Sequence, residues 1–230
     1  MPIDVETGGD LGTLNEIVRT LFGENSQTVD IVILLTILTL LPSILMMLTG
    51  FTRIVIVLSF IRQALGMQQT PPNQVLIGLA LFLTFFIMQP VFSEIYDDAY
   101  VPFTEGEITQ EDFIDRSMVP IRGFMLSQVF ESDLNFFLSM AGEDYPDIDS
   151  IPSSVLIPAF ITSEVKHAMF IGFMVYLPFI VIDMIVASTL MSMGMMMLPP
   201  AMISLPFKVL LFVMVDGWQL IIGALLQTFY

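Results

Sequence analysis

Runs without charge constrain this chain more than any other feature. Residues 31–52 contain no Asp, Glu, Lys or Arg, and neither do residues 63–93. From His167 to the end the only full charges are Asp183, Lys208 and Asp216. About 20 apolar residues rising roughly 1.5 Å each cross a hydrocarbon layer of about 30 Å. Hydropathy therefore predicts four helical spans, near 31–50, 74–92, 168–190 and 205–228. They must be helices and not open strands, because lipid offers backbone N–H and C=O groups no partner.

Composition closes off the soluble alternative. Charged residues make up 13% of the chain and hydrophobic residues 55%, whereas a soluble domain is about a quarter charged. One soluble core cannot hide so much apolar surface, so lipid or a large protein interface must cover it. The net charge of −16, from 23 acids and 7 bases, argues against a nucleic-acid partner. With no cysteine, disulfides and thiolate metal sites are excluded. The opening "MPIDVETGGDLGTL" is acidic where a signal peptide would be basic and then apolar. It reads as a segment that never carried a signal, or as a mature chain with a restored Met.

Between the second and third spans the material changes. Residues 94–149 hold 14 acids and two arginines. "EGEITQEDFIDRS" reads as a polar turn entering a helix. In "VPIRGFMLSQVFESDLNFFLSM", Phe124, Met125, Gln128, Val129 and Ser132, then Leu134, Phe137 and Leu138, recur at helical spacing. This predicts one or two amphipathic helices packed on something, with "AGEDYPDIDSIPS" as a loop. The domain plan is thus an acidic segment 1–30, a first hydrophobic hairpin 31–92, an acidic insertion 93–152 and a second hydrophobic hairpin 153–230.

The hairpin turns echo each other. Gly66-Met67-Gln68-Gln69-Thr70-Pro71-Pro72 and Gly194-Met195-Met196-Met197-Leu198-Pro199-Pro200 both read G-M-x-x-x-P-P. Gly ends a helix at positive φ, and Pro-Pro cannot continue a helix but can start the next. Gly66, Pro71, Pro72, Gly194, Pro199 and Pro200 are the expected breakers. Arg53 and Arg62 appear in the turn after the first span with no acid beside them. By the excess of basic residues in cytoplasmic loops, both turns face inward and both acidic segments lie outside.

No enzyme constellation is present: no phosphate-binding loop, no dinucleotide fingerprint, no Ser-His-Asp set. The single histidine, His167, lies beside Lys166 with Glu164 three residues back, and reads as an interfacial hydrogen-bonding residue. No catalytic residue and no cofactor are expected. Asp183, inside "FIVIDMIVA", would cost about 2.5–3.5 kcal/mol unpaired at mid-bilayer. Lys208, in "SLPFKVLLF", is its natural partner. The pair reads as a packing clamp, with a proton or ion relay and an inter-subunit pair as alternatives.

Met195, Met196 and Met197 have three readings. Methionine is adaptable filler in helix interfaces. Thioethers bind copper(I), although such a site would be helped by Cys or further His. Contiguous methionines point in three directions around a helix, which suits neither a chelate nor one packed stripe. In an oligomer one such loop per subunit would close a pore with unbranched side chains that deform easily, and apolar constrictions resist ions by dewetting.

Two stretches, "FTRIVIVLSFIRQALGMQQTPPNQVLIGLALFLTFFIMQPV" and "IPAFITSEVKHAMFIGFMVYLPFIVIDMIVASTLMSMGMMMLPPAMISLPFKVLLFVMVDGWQLIIGALLQTFY", resemble the FliP family of flagellar type III export gates, which includes the SctR components of injectisomes. The resemblance runs from about Ile31 to the last residue, and the wording of the motifs favours the flagellum. It implies an all-α membrane-associated chain assembling as a pentamer with FliQ-like and FliR-like subunits into a helical cone. FlhB-like and FlhA-like export components would stand beside it, in the bacterial inner membrane at the flagellar basal body. The implied function is to pass unfolded flagellar proteins and seal the channel with the Met loop, without enzyme activity. The runner-up readings are a copper(I) transporter or sensor and a non-gating scaffold. Glu164, Asp183 and Lys208 fall where the family keeps charges implicated in subunit contacts and gating. Phe130 replaces an arginine in the family's "QTRE" wording, so that arginine's role does not carry over. Family precursors often carry a cleaved signal peptide. The resemblance also implies hairpins lifted largely out of the bilayer and covered by neighbouring subunits.

Overall fold

The computed structural model describes residues 35–36, 39–40, 43–44, 46–142, 145, 147–195 and 198–230. The chain forms two units, Met1–Leu45 and Met46–Tyr230. In the first, the described residues are helical, and the Thr39 hydroxyl donates to the Thr36 carbonyl at 2.8 Å. The acidic segment 1–30 and the other residues of that first unit, including the start of the first predicted span, lie outside the described residues.

In the second unit every described element is a helix. α1, Phe51–Ala64, is its central element. Phe51, Ile54, Val57, Leu58, Ile61 and Ala64 repeat at helical spacing, and all but Phe51 are wholly inaccessible to solvent. This corrects the expectation that Arg53 belongs to a turn. The apolar period continues straight through it, so the helix does too, and Arg53 is fully buried. Arg53 therefore cannot serve as a cytoplasmic loop charge, which leaves the orientation argument one base poorer. Arg62 does brace the turn, donating to the Pro71 carbonyl at 3.3 Å and to Asn73 Oδ1 at 2.5 Å.

α2, Asn73–Ile95, passes through a π-helical turn at Tyr96–Tyr100 into α3, Val101–Thr104. The continuous stretch of 32 residues is about 48 Å long at the α-helical rise, well past the predicted limit near residue 92. α4, Gln110–Gln128, and α5, Glu131–Ala141, are the two amphipathic helices of the insertion. α4 starts where its sequence says it should: Thr109 and Asp112 form a reciprocal capping box. Their bonds hold the exposed Asp112 carboxyl below its ordinary range. Met125, Ile151, Val155, Leu156 and Phe160 make a second small core, on which Leu134, Phe137 and Leu138 pack. Of the residues expected to face inward, Ser132 is instead exposed and its neighbour Asp133 buried.

α6, Ser153–Ser192, is 40 residues long, with Pro158 and Pro178 inside it, and packs on the 14-residue α1. Gly172 lets the two pack closely, because a Cβ there would stand 2.5 Å from the Phe60 ring. α7, Pro200–Met214, and α8, Gly217–Gln227, follow. The fourth predicted span is thus broken by a bend of 67°. Asp216 breaks it by taking left-handed φ/ψ of 50° and 49°. Gly217 permits the bend, because a Cβ there would stand 2.4 Å from the Phe212 ring.

Asn73–Thr104 and Ser153–Ser192 are long and apolar enough to cross a membrane, and the bent pair makes a third if taken as one span. Within this chain only 33% and 11% of their most apolar windows are buried. Rows such as Phe82, Phe85 and Phe86 on α2, or Phe170, Phe173, Leu177 and Val181 on α6, face outward. The fold is all-helical and membrane-associated, with most of its apolar surface left for something else to cover.

Candidate functional site

The two hairpin turns are built by one backbone device. At the end of α1 the Gly66 N–H donates to the Gln63 carbonyl at 2.9 Å, and the Met67 N–H to the Arg62 carbonyl at 3.1 Å. At the end of α6 the Gly194 N–H donates to the Met191 carbonyl, and the Met195 N–H to the Leu190 carbonyl, both at 3.0 Å. Both are Schellman closures, with the glycine in the left-handed region, at φ 77° and 75°. Pro72 caps the start of α2, whereas Pro199 caps α7 and Pro200 is its first residue. The turns differ in what they do with the residue after Gly. Met67 packs against the main core, whereas Met195 is 42% exposed. Met196 and Met197 lie outside the described residues. Around Met195 the tip of the second hairpin also presents Met191, Met193, Leu198 and Met202 to the outside.

Below that tip stands a polar clamp. Lys208 Nζ donates to Asp183 Oδ2 at 2.6 Å and to the Ala64 carbonyl at 3.1 Å. Ser204 Oγ donates to Asp183 Oδ1 at 2.5 Å. One ammonium thus ties α7 to α6 and caps the C-terminal end of α1, where carbonyls lack helical partners and the dipole favours a cation. Lys208 is buried, whereas the Asp183 side chain is 37% exposed. Leu205 comes within 3.8 Å of the Cβ position of Gly66, so the base of the second hairpin sits against the first turn.

Glu164 has a different partner from the one its neighbourhood in sequence would offer. It is fully buried and ion-pairs with the equally buried Arg53. Arg53 Nε donates to Glu164 Oε2 at 3.1 Å and Nη2 to Glu164 Oε1. Nη1 donates to the Thr228 carbonyl and hydroxyl at 3.0 and 3.1 Å, and Nη2 also to Gln128 Oε1 at 3.0 Å. The Phe229 ring covers the guanidinium at 4.0 Å. The planar donor fork is therefore used on α6, on α4 and on the segment after α8. Sequence reading missed Arg53. Its signal was present in the unbroken period Phe51, Ile54, Leu58, Ile61, which places residue 53 inside a helix.

A third cluster fixes the insertion to α6. α5 has no side-chain cap of its own; instead the Phe130 N–H donates to Ser163 Oγ at 3.0 Å, and that hydroxyl donates to Asp133 Oδ2 at 2.8 Å. Lys166 donates to Asp133 Oδ1, and the Phe130 ring stacks on His167 at 4.1 Å. Burial pushes the Asp133 carboxyl up, but the hydrogen bonds from Lys166 and Ser163 and the Lys166 charge outweigh it and hold it below its ordinary range. A carboxylate depressed in the folded state contributes stability that is complete above its unfolded value and lost as pH falls through the folded value. The stability difference between wild type and Asp133→Asn should therefore be constant at neutral pH and shrink below about pH 4. Thermal melts of the two detergent-solubilised chains from pH 6 to 3 check this, and a difference unchanged across that window contradicts it. Among the described residues, no group of three or more His, Cys, Asp or Glu is placed to hold a metal ion.

Comparison with known proteins matches residues 34–225 to the FliP family. The flagellar biosynthetic protein FliP of Bacillus subtilis (strain 168) is 55% identical over 205 residues, covering 89% of this chain and 93% of that protein. Its counterpart in Pectobacterium carotovorum subsp. carotovorum is 55% identical over 206 residues, covering 88% and 79%. That of Borreliella burgdorferi is 50% identical over 210 residues, covering 90% and 83%. The family match takes in both G-M-x-x-x-P-P turns, the insertion and the charged residues of all three clusters, and this chain belongs to the FliP family.

Proposed function

We propose that the chain is a gate subunit of a flagellar type III protein export apparatus in the bacterial inner membrane. Five copies, joined by FliQ-like and FliR-like subunits and served by FlhA-like and FlhB-like components, form a helical cone. Unfolded flagellar proteins pass through it. The Met loop of the second hairpin narrows the channel, and the acidic segments 1–30 and 93–152 face the periplasm. The four-part division at residues 30, 92 and 152 is part of the same reading.

One observation carries this reading beyond family membership: α6, the longest helix among the described residues, buries almost none of its apolar window within the subunit. Its end holds a tip of exposed thioethers above a clamped base. Such surface needs neighbours, and unbranched thioethers can close on one another and yield to a passing chain. Replacing Met195, Met196 and Met197 together with alanine should leave the complex assembled and raise its ion conductance at rest. Conductance of the purified complex in planar bilayers measures this. A triple variant that conducts no more than wild type while secretion continues would overturn the gate reading.

A further inference from the structure

We infer that residues 217–230 form a latched arm, which swings about Asp216 between the bent state seen here and a state in which α7 and α8 run as one helix. Three independent features of the chain carry this. The hinge is the first. Asp216 is the one non-glycine residue at positive φ among the described residues, a conformation that costs L-residues free energy. No side chain caps α8, so closing the break would relieve the backbone and give the first N–H groups of α8 the carbonyls of α7 as partners.

The second feature is that α8 meets the main core along one narrow face, through Ile221, Leu225 and the partly buried Leu226. Gly217, Ile221 and Leu225 are its buried residues, whereas Leu220 is 64% exposed. Opposing the cost of the hinge is the third feature, a socket for Phe229. Its ring lies where Gly50 has no side chain, with its Cε1 2.4 Å from the point where a Cβ would be. The Arg53 guanidinium covers one face at 4.0 Å, and Phe124 stacks at 6.4 Å. Gln128 Nε2 donates to the Phe229 carbonyl at 3.3 Å, and Arg53 holds both oxygens of Thr228. The bend is therefore retained by the latch at one end against strain at the other, and each state is a helix with its apolar surface coverable. The bent pair together is apolar and long enough to cross a membrane, so lipid would accept the extended state.

Because the chain has no cysteine, two introduced ones report the arm directly. Spin labels at Gln227→Cys and Glu131→Cys, both exposed, are read by pulsed electron resonance on the full chain in detergent. An arm of 11 residues is about 16 Å long at the helical rise. Swinging it through 67° moves its end on the order of 15 Å by that same length. The unaltered latch should give one short distance. Thr228→Val with Phe229→Ala should shift at least half the population to a longer one with helical circular dichroism retained. Adding Asp216→Gly, which removes the hinge strain, should return population to the short distance. A single short distance in the unlatched chain overturns the inference. So does a broad distribution with loss of helix, since that reports a melted arm instead of a second helical state.

Discussion

Glu164→Ala is expected to lower the stability of the detergent-solubilised chain by about 3–5 kcal/mol, the range for removing one partner of a buried ion pair. For a chain of this size that corresponds to roughly 6–20 °C in melting temperature. The reason is asymmetry. Arg53 stays behind, buried and permanently charged, with its Nε and part of Nη2 unpartnered. Its remaining bonds to Gln128 and Thr228 carry no countercharge. A charge left this way costs far more than the intact pair contributes. Arg53→Met combined with Glu164→Leu should therefore recover much of the loss, because two apolar groups of similar volume leave no buried charge unpaired, and the Thr228 and Gln128 oxygens that lose a donor lie on residues water still reaches. A double-mutant cycle followed by circular dichroism makes the comparison. If the double variant were as unstable as the sum of the single ones, Arg53 would be acting mainly through Thr228 and Gln128.

Lys208→Glu should be the second large effect, about 3 kcal/mol or more from two charge-assisted bonds at roughly 1.5–3 kcal/mol each. Repulsion from Asp183 adds little to this, since that carboxylate is partly exposed and screened. The loss at Ala64 is different in kind: a carboxylate cannot donate to a carbonyl, and it brings negative charge to the negative end of α1. Adding Asp183→Lys should therefore restore only about half of the loss, from the one bond that charge exchange can rebuild. Adding Glu164→Lys should restore nothing and destabilise further, because it sets a second cation against Arg53. Melting temperatures of the four chains decide between these outcomes. Rescue by Glu164→Lys would reassign the partner of Lys208 and remove the clamp from beneath the Met hairpin.

The hairpins were legible because their signals are local. Charge-free runs, a glycine that ends a helix and a proline pair that starts the next all act within a few residues. So does the Thr109–Asp112 box that begins α4. Asp183 and Lys208 could be paired by elimination, being two of the three charges from His167 onward. Where reading stopped short, a local signal was overruled or a distant one was needed. Arg53 looked like a loop charge, and only a carboxylate 111 positions away lets it sit in a helix core. The fourth span looked continuous because its hydropathy barely registers Asp216-Gly217.

By itself, then, the amino-acid order determined that this chain is helical, apolar beyond what one subunit can bury, and folded back twice at G-M-x-x-x-P-P turns. Those are consequences of transfer free energy and backbone sterics, which each residue carries with it. Which charges meet, and that one turn packs its methionine against the core while the other exposes it, only the tertiary structure decided. The same holds for the bend of α8 and its anchoring through Phe229. A buried guanidinium is tolerable only once every donor has found an acceptor, and those acceptors come from helices far apart in the chain.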